Sequence, residues 1–235
     1  MALPKLNTPT YELELPSTSE IIKYRPFLVK EQKILLIAQE SGEEKQIARA
    51  MIELVESCTF GKINGKISPL FDIEYLFLRI RAKSVGETIE LNVLCPDDNE
   101  TQVPVTVEVD DIKITMLENH KTEIEILENV KINFRYPILD DMEGLLGVES
   151  NVDSVFTLIN RCVKSITHGD EVYYRVDMTE KELNEFLDSL TGEQFEYLIE
   201  FFDSMPKLRH VVQVTNPKTK KKSEVVLEGL QSFLE

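Results

Sequence analysis

The spacing of hydrophobic residues changes along the chain and predicts its elements. Apolar and acidic positions alternate over residues 11–15, which predicts a half-buried strand. Turn residues follow at 16–19, and residues 21–24 predict the returning strand of a hairpin. Apolar positions spaced by three and four then predict three helices, over about 27–40, from about residue 43 to Cys58, and from about residue 68 to Ser84.

Strand-like alternation dominates the middle of the chain. Residues 88–94 alternate, a turn follows at 95–100, and Val103, Val105 and Val107 alternate again, so a second hairpin is predicted. Further strands are predicted at 112–116, 122–126 and 131–136. Together these segments predict an antiparallel β module.

The last third is predicted to be mainly helical. An apolar stripe with helical spacing ends before the turn that begins at His168; its members are Val155, Ile159, Cys162 and Ile166. A short strand is predicted over residues 172–176. Two capping-box sequences each predict a helix start, and they are Thr179 with Glu182 and Thr191 with Gln194.

A β-hairpin closes the predicted chain. Its strands are predicted at 210–215 and 223–227, with a basic turn between them and a short helical end. The whole pattern predicts an α+β fold: an N-terminal hairpin plus helices, a central antiparallel β module, and C-terminal helices with a terminal β-hairpin. The predicted segments are 1–84, 85–139 and 140–235, either as separate domains or as parts of one continuous core.

Composition narrows the functional class. The 235 residues are 42% hydrophobic, which is enough for a core in one or two domains, and no window is long and apolar enough to span a membrane. The N-terminus lacks the pattern of a secretion signal, so we expect the protein in the cytoplasm where it is made. The formal net charge of −16 disfavours nucleic-acid binding.

No catalytic, cofactor-binding or metal-ligating residue is predicted. Cys95 stands alone in its turn, whereas a structural zinc site needs about four nitrogen or sulfur ligands. The acidic cluster at 140–143 lacks the alternating oxygen ligands of a calcium loop. The histidines are far apart, and no nucleophile motif occurs. The sequence therefore favours protein binding over catalysis.

Three stretches of the chain carry a resemblance to a known family. They are Leu15–Thr18 with Tyr24–Glu31, Leu70–Glu87, and Leu227–Phe233. In this order they resemble the baseplate hub subunit family of T-even-type contractile-tailed bacteriophages. The resemblance implies a structural or assembly role in the tail baseplate hub, with other hub proteins as partners. It also implies location in the host cytoplasm during assembly and in the tail baseplate.

The resemblance leaves two properties open. The protein is either a component of the mature particle or an assembly chaperone that leaves it, and its oligomeric state is not defined. A function from another class is a small intracellular enzyme or ligand-binding protein with a site between the β module and the C-terminal helices. Mimicry of nucleic acid is a third reading, which the interspersed Lys and Arg residues disfavour.

Ten residues are predicted to contact partners. They come from the hairpin–helix boundary, from two aromatic side chains off an apolar stripe, from the basic turn and from the C-terminal motif. The two aromatics are either core or contact residues, and the lysines either suppress strand pairing at a solvated turn or meet an acidic surface. The ten are Arg25, Phe27, Tyr197, Phe201, Lys218, Lys220, Lys221, Lys222, Leu230 and Phe233.

Overall fold

The computed structural model describes residues 7–145 and 152–233, which contain eleven β-strands and six α-helices in two compact units. The first unit comprises the described residues up to Thr115 together with those from Lys207 onward, and the second extends from Met116 to Pro206. The α+β class predicted from the sequence is confirmed. The units divide near 115 and 206, whereas the sequence predicted boundaries near 85 and 140.

The first unit begins with a hairpin and three helices, continues with a second hairpin and ends in a three-stranded sheet. Its elements before the chain leaves the unit are β1 (Tyr11–Glu14), β2 (Ile21–Tyr24), α1 (Val29–Ser41), α2 (Glu44–Cys58), α3 (Leu70–Val85), β3 (Thr88–Leu94), β4 (Gln102–Glu108) and β5 (Lys113–Thr115).

The second unit is a four-stranded antiparallel sheet with three helices. Its elements are β6 (Glu123–Leu127), β7 (Val130–Phe134), α4 (Val152–Cys162), β8 (Val163–His168), β9 (Glu171–Tyr174), α5 (Glu180–Asp188) and α6 (Gly192–Ser204), with strand order β6-β7-β8-β9. The chain then returns to the first unit as β10 (Lys207–Thr215) and β11 (Lys222–Glu228), followed by a 3-10 turn over Leu230–Phe233.

Helix α3 is the centre of the first unit. Ile73, Leu76, Leu78 and Ile80 are all buried, so the helix is covered on several sides. It packs against α2, β5 and β10. An apolar helix that is covered on several sides is typical of a core element. Each fully buried aliphatic side chain contributes about 1.5 to 3 kcal/mol to the free energy of folding.

The first unit closes through a pairing between distant strands. Strand β10 lies between β11 and β5 in an antiparallel sheet. Lys207 pairs with Thr115, and Leu208 with Ile114. The second unit is therefore inserted between two residues that lie directly opposite each other. The spacing of apolar residues along the sequence does not reveal the pairing of β5 with β10. The predicted domain boundaries therefore differ from the observed division into units.

The predicted helix that continues to Ile166 is wrong in its last part. Helix α4 ends at Cys162, and the next six residues form β8, in which Ile166 pairs with Ile132 of β7. Val163 and Ile166 are buried in the sheet. A strand forms here because β-branched side chains favour a half-buried strand. A helix was predicted because the spacing of these residues also matches one face of a helix.

Both predicted capping boxes are confirmed. The backbone N–H of Glu182 donates to the side chain of Thr179 at 3.2 Å, and the Thr179 N–H donates to the Glu182 carboxylate at 2.8 Å. Thr191 and Gln194 make the equivalent bonds at the start of α6. Each box satisfies backbone donors that a helix start leaves without intrahelical partners.

We expect the first unit to fold without the second. Replacing residues 116–206 by Asn-Gly would join Thr115 and Lys207 as a two-residue hairpin, since these residues already pair. The shortened protein should unfold in one cooperative thermal transition with its helical circular dichroism retained. A matched chain that ends at Thr115 lacks β10 and β11 and should not fold. An unfolded hairpin-closed protein would contradict the independence of the unit.

Candidate interaction surfaces

Arg25 connects β2 to two helices, and its side chain is largely buried. Its Nη2 atom lies 2.9 Å from Oε1 of Glu31 and 3.1 Å from Oγ of Ser57. Its Nη1 atom donates to the carbonyl oxygen of Pro26 at 3.0 Å, and its backbone N–H donates to that of Cys58 at 3.0 Å. We call this arrangement, from Arg25 to Glu31 with Ser57 and Cys58, the hairpin–helix junction.

Glu31 completes the junction as an acceptor. Its Oε2 accepts the backbone N–H of Leu28 at 2.8 Å, which satisfies a donor at the start of α1. Burial acts to raise the pKa of Glu31, but hydrogen bonds from Arg25, Leu28 and Ser57 outweigh it and lower the pKa to about 2. Glu31 is therefore ionised at neutral pH, and its pair with Arg25 is a charged one.

The second unit contains a matching junction around Arg135. Arg135 follows β7 as Arg25 follows β2. Its Nη2 atom lies 2.8 Å from Oδ1 of Asp141, and Oδ2 of Asp141 accepts the backbone N–H of Ile138 at 2.8 Å. The backbone N–H of Arg135 donates to the carbonyl oxygen of Cys162 at 2.9 Å, at the end of α4.

The two junctions agree in their spacing as well as in their contacts. The carboxylate lies 6 residues after the arginine in both, and the carboxylate in both accepts an N–H from 3 residues earlier. In both, the guanidinium also reaches the carbonyl oxygen of the residue before the cysteine, Ser57 in one and Arg161 in the other. These contacts give Arg25 a role within the fold.

Helix α1 presents large apolar side chains to solvent. The helix packs against α2, and Glu31 and Ala38 are its buried residues. Exposed fractions are 80% for Val29, 44% for Ile34, 52% for Leu36 and 56% for Ile37. We call these four exposed residues the α1 apolar surface. Several large apolar side chains exposed on one helix make that helix a candidate interaction site.

A groove of about 170 Å³ lies beside this surface. Phe27 lines it and is partly buried, and its backbone N–H donates to Oγ of Ser84 at 3.0 Å. Leu36 belongs both to the groove and to the α1 apolar surface. Other side chains of α1 also line it, and the walls from α2 and α3 include Met51, Phe77, Arg81 and Val85.

The basic turn between β10 and β11 is held in place by a buried amide. The side-chain nitrogen of Asn216 donates to Oδ1 of Asp97 at 3.0 Å and to Oδ2 of Asp98 at 2.9 Å. Its oxygen accepts the backbone N–H of Lys218 at 2.8 Å. Around this turn, the lysines predicted as contacts are exposed: Lys218, Lys220, Lys221 and Lys222.

Tyr197 and Phe201 of α6 occupy different environments. Phe201 is fully buried, with its ring centroid 4.8 Å from that of Phe134 and 5.3 Å from that of His120. Tyr197 is exposed, and its hydroxyl donates to Oε1 of Glu193 at 3.0 Å. Packing within the unit accounts for Phe201 without a partner, whereas Tyr197 remains at the surface.

Leu230 and Phe233 close the core of the first unit and are buried. They lie on the 3-10 turn after β11, and this turn packs against α3. In this fold the two side chains are buried within the unit, whereas the sequence predicted them as partner contacts. The C-terminal motif instead covers α3.

A cavity of about 460 Å³ lies within the second unit, between β8, β9 and α5. Its size fits a small-molecule site, and Ile166 and Phe186 line it. The carboxylate of Glu182 also lines it, but hydrogen bonds from Thr179 at the start of α5 lower the pKa of Glu182. The lowered pKa of Glu182 therefore results from its role in capping α5.

Within residues 7–145 and 152–233, no group of three or more His, Cys, Asp or Glu side chains is arranged to hold a metal ion. In the same part of the chain, no helix combines the length and apolarity needed to cross a bilayer.

Comparison with known proteins identifies the family to which this chain belongs. A sequence model of the family described as T4 bacteriophage base plate protein matches residues 8–235. The chain therefore belongs to the T4-type bacteriophage base plate protein family. The resemblance predicted from the sequence is confirmed.

A curated relative shows the similarity along nearly the whole chain. Baseplate hub assembly protein gp26 of Enterobacteria phage T4 is 25% identical over 231 residues, which cover 96% of this chain and 98% of that protein. The family and this similarity support the predicted structural role in the baseplate hub. No solved structure matches the chain.

Replacing Glu31 by glutamine should reduce the free energy of unfolding at pH 7 by about 3 kcal/mol, because Arg25 would stay buried without its counter-charge. The folded pKa of about 2 lies below the ordinary value of 4.5, so the carboxylate stabilises the fold fully above pH 4.5. That stabilisation is lost as the pH falls towards 2. The difference between wild type and variant should therefore shrink over this range in urea titrations.

Glu40→Gln is the matched control, since Glu40 is exposed near the end of the same helix. Its effect should be within about 0.5 kcal/mol, as for most surface substitutions. Equal effects of the two substitutions, or a difference that does not vary with pH, would contradict the role given to Glu31.

Proposed function

We propose that this base plate protein builds the tail hub by binding other hub proteins of its phage through the α1 apolar surface. The observation that carries this proposal is the exposure of Val29, Ile34, Leu36 and Ile37 on one helix. Membership of the base plate family supplies the setting. The proposal involves no catalytic step, nucleic acid or membrane, and the charge of −16 supports the absence of phosphate contacts.

The chemistry of α1 suits a helix that is covered on assembly. Its inner side packs on α2, and its outer side carries large apolar side chains among polar ones, so solvent contacts groups that favour burial. Burying one large apolar side chain contributes about 1.5 to 3 kcal/mol. A few such side chains dominate the binding energy of many protein interfaces. The four residues together therefore provide an anchor of useful strength.

Further contacts follow from the predicted residues that remain accessible. We assign Lys218, Lys220, Lys221 and Lys222 to contact with an acidic surface of a partner, and Tyr197 to the rim of a second contact. The Asn216 hydrogen bonds support the first assignment, because a fixed turn loses little conformational freedom on binding. Phe27 contributes through the groove. Arg25 acts indirectly by positioning α1.

Co-expression with the other hub proteins of the same phage tests the proposal. Size-exclusion chromatography and mass spectrometry should show this chain in a stable complex with at least one of them. Mass spectrometry of purified tails then separates a resident component from an assembly chaperone. A chain that elutes alone in every combination would overturn the proposal.

Substituting Ile34 and Ile37 by serine should abolish this co-elution while leaving the melting temperature nearly unchanged, since both side chains are about half exposed. The matched control replaces Val172 and Val176 of the second unit, which are exposed to similar or greater extents. The control should keep the complex. Loss of binding in both variants, or a large fall in melting temperature for Ile34→Ser/Ile37→Ser, would argue against a specific α1 contact.

A further inference from the structure

Arg81 on α3 is a cation without a counter-charge in the described structure. Its Nη1 atom is buried and has no hydrogen-bond partner there, and no ion pair of the described residues includes its side chain. The arginines of the two junctions are paired with carboxylates at 2.9 and 2.8 Å. A partly buried guanidinium without such a partner is unfavourable in the free protein.

Arg81 lies next to the α1 apolar surface, so its unpaired charge is close to a candidate contact region. Arg81 lines the groove beside α1 and is the only charged side chain among its described lining residues. Phe27, Met51 and Phe77 make other parts of the wall apolar. Leu36 and Val85 are more than half exposed, so the groove opens next to the α1 apolar surface.

The size of the groove limits what it accepts. Its volume is about 170 Å³. An apolar protein cavity of about 150 Å³ accommodates benzene, so this groove has room for one large apolar side chain. A segment that inserts such a side chain brings its neighbouring residues close to the groove walls, and the residue nearest Arg81 is then taken out of water.

We propose that the groove docks a segment of another hub protein that inserts one large apolar side chain and places an Asp or Glu carboxylate on Arg81. This inference rests on the proposed function, since it names the chemistry of a partner. A carboxylate matches the planar guanidinium and supplies the charge that the fold does not. An entirely apolar segment would bury Arg81 further without compensation, and a basic segment would be repelled.

The arrangement gives Arg81 opposite effects in the free and bound proteins. In the free protein, Arg81→Met keeps the aliphatic bulk and removes an uncompensated charge, so the melting temperature should stay the same or rise. In the complex, the same substitution leaves the partner carboxylate desolvated without a cation, and affinity should fall. A residue with a purely structural role would show a lower melting temperature instead.

The test uses the full chain and overlapping fluorescent peptides from the other hub proteins of its phage, with binding measured by fluorescence anisotropy. Peptides that bind should contain a large apolar residue close to an Asp or Glu. Arg81→Met should weaken their binding roughly thirtyfold, as expected when one member of a buried charge pair is removed. Arg49→Met is the control, because Arg49 is exposed on α2 and is not among the described groove residues.

A second set of measurements tests the pairing itself. Changing the peptide's Asp or Glu to the amide should reproduce the loss in wild type and add little in Arg81→Met, as a coupled pair requires. Equal binding to wild type and Arg81→Met would overturn the proposal. So would a self-association that Leu36→Ser and Arg81→Met both abolish, since the occupant would then be a second copy.

Two results distinguish a missing groove contact from a missing hub-binding role. If no hub peptide binds while the full-length hub proteins still co-elute with Arg81→Met, the groove proposal is wrong and the hub-binding role stands. If the wild-type chain co-elutes with none of them, the proposed function itself fails.

Discussion

The pairing of an arginine with a carboxylate fixes the point where each unit passes from strand to helix. At this point the backbone leaves a ladder of strand hydrogen bonds and has not yet formed helical ones, so its N–H and C=O groups need other partners. Arg25 and Glu31 supply these partners in the first unit, and Arg135 and Asp141 in the second. The direction of α1, and with it the apolar surface and the groove, depends on this pairing.

Contacts between near neighbours were predictable from the sequence, and contacts between distant residues were not. The first hairpin, α1 to α3 and the two capping boxes depend on spacings of a few residues. The bonds from Asn216 to Asp97 and Asp98 join residues 119 and 118 positions apart, and no local pattern indicates them. The matching of the junctions was also missed, because it becomes visible only when the carbonyl groups at the ends of α2 and α4 are located.

The same distinction applies to the candidate contacts. Exposure of the lysines follows from turn composition, whereas burial of Phe201, Leu230 and Phe233 depends on which elements cover them. The α1 apolar surface was not predicted, because an apolar run in one sequence has the same appearance whether the chain or a partner covers it. The structure separates these cases. At the junctions the buried arginines are paired with carboxylates, whereas Arg81 has a buried nitrogen without a hydrogen-bond partner and the apolar residues of α1 remain exposed. That contrast is typical of a protein that is completed by assembly.

The pairing of Thr115 with Lys207 also sets an order for folding during synthesis. All residues of the second unit leave the ribosome before β10 exists, so this unit can fold while the first still lacks the strands that complete its sheet. Until β10 and the C-terminal 3-10 turn emerge, the apolar side of α3 that they cover faces water or a chaperone. A ribosome that stops between the second unit and β10 would therefore release a chain with the second unit complete and the first unit open, and such a chain would be degraded by proteases before it could join the phage tail.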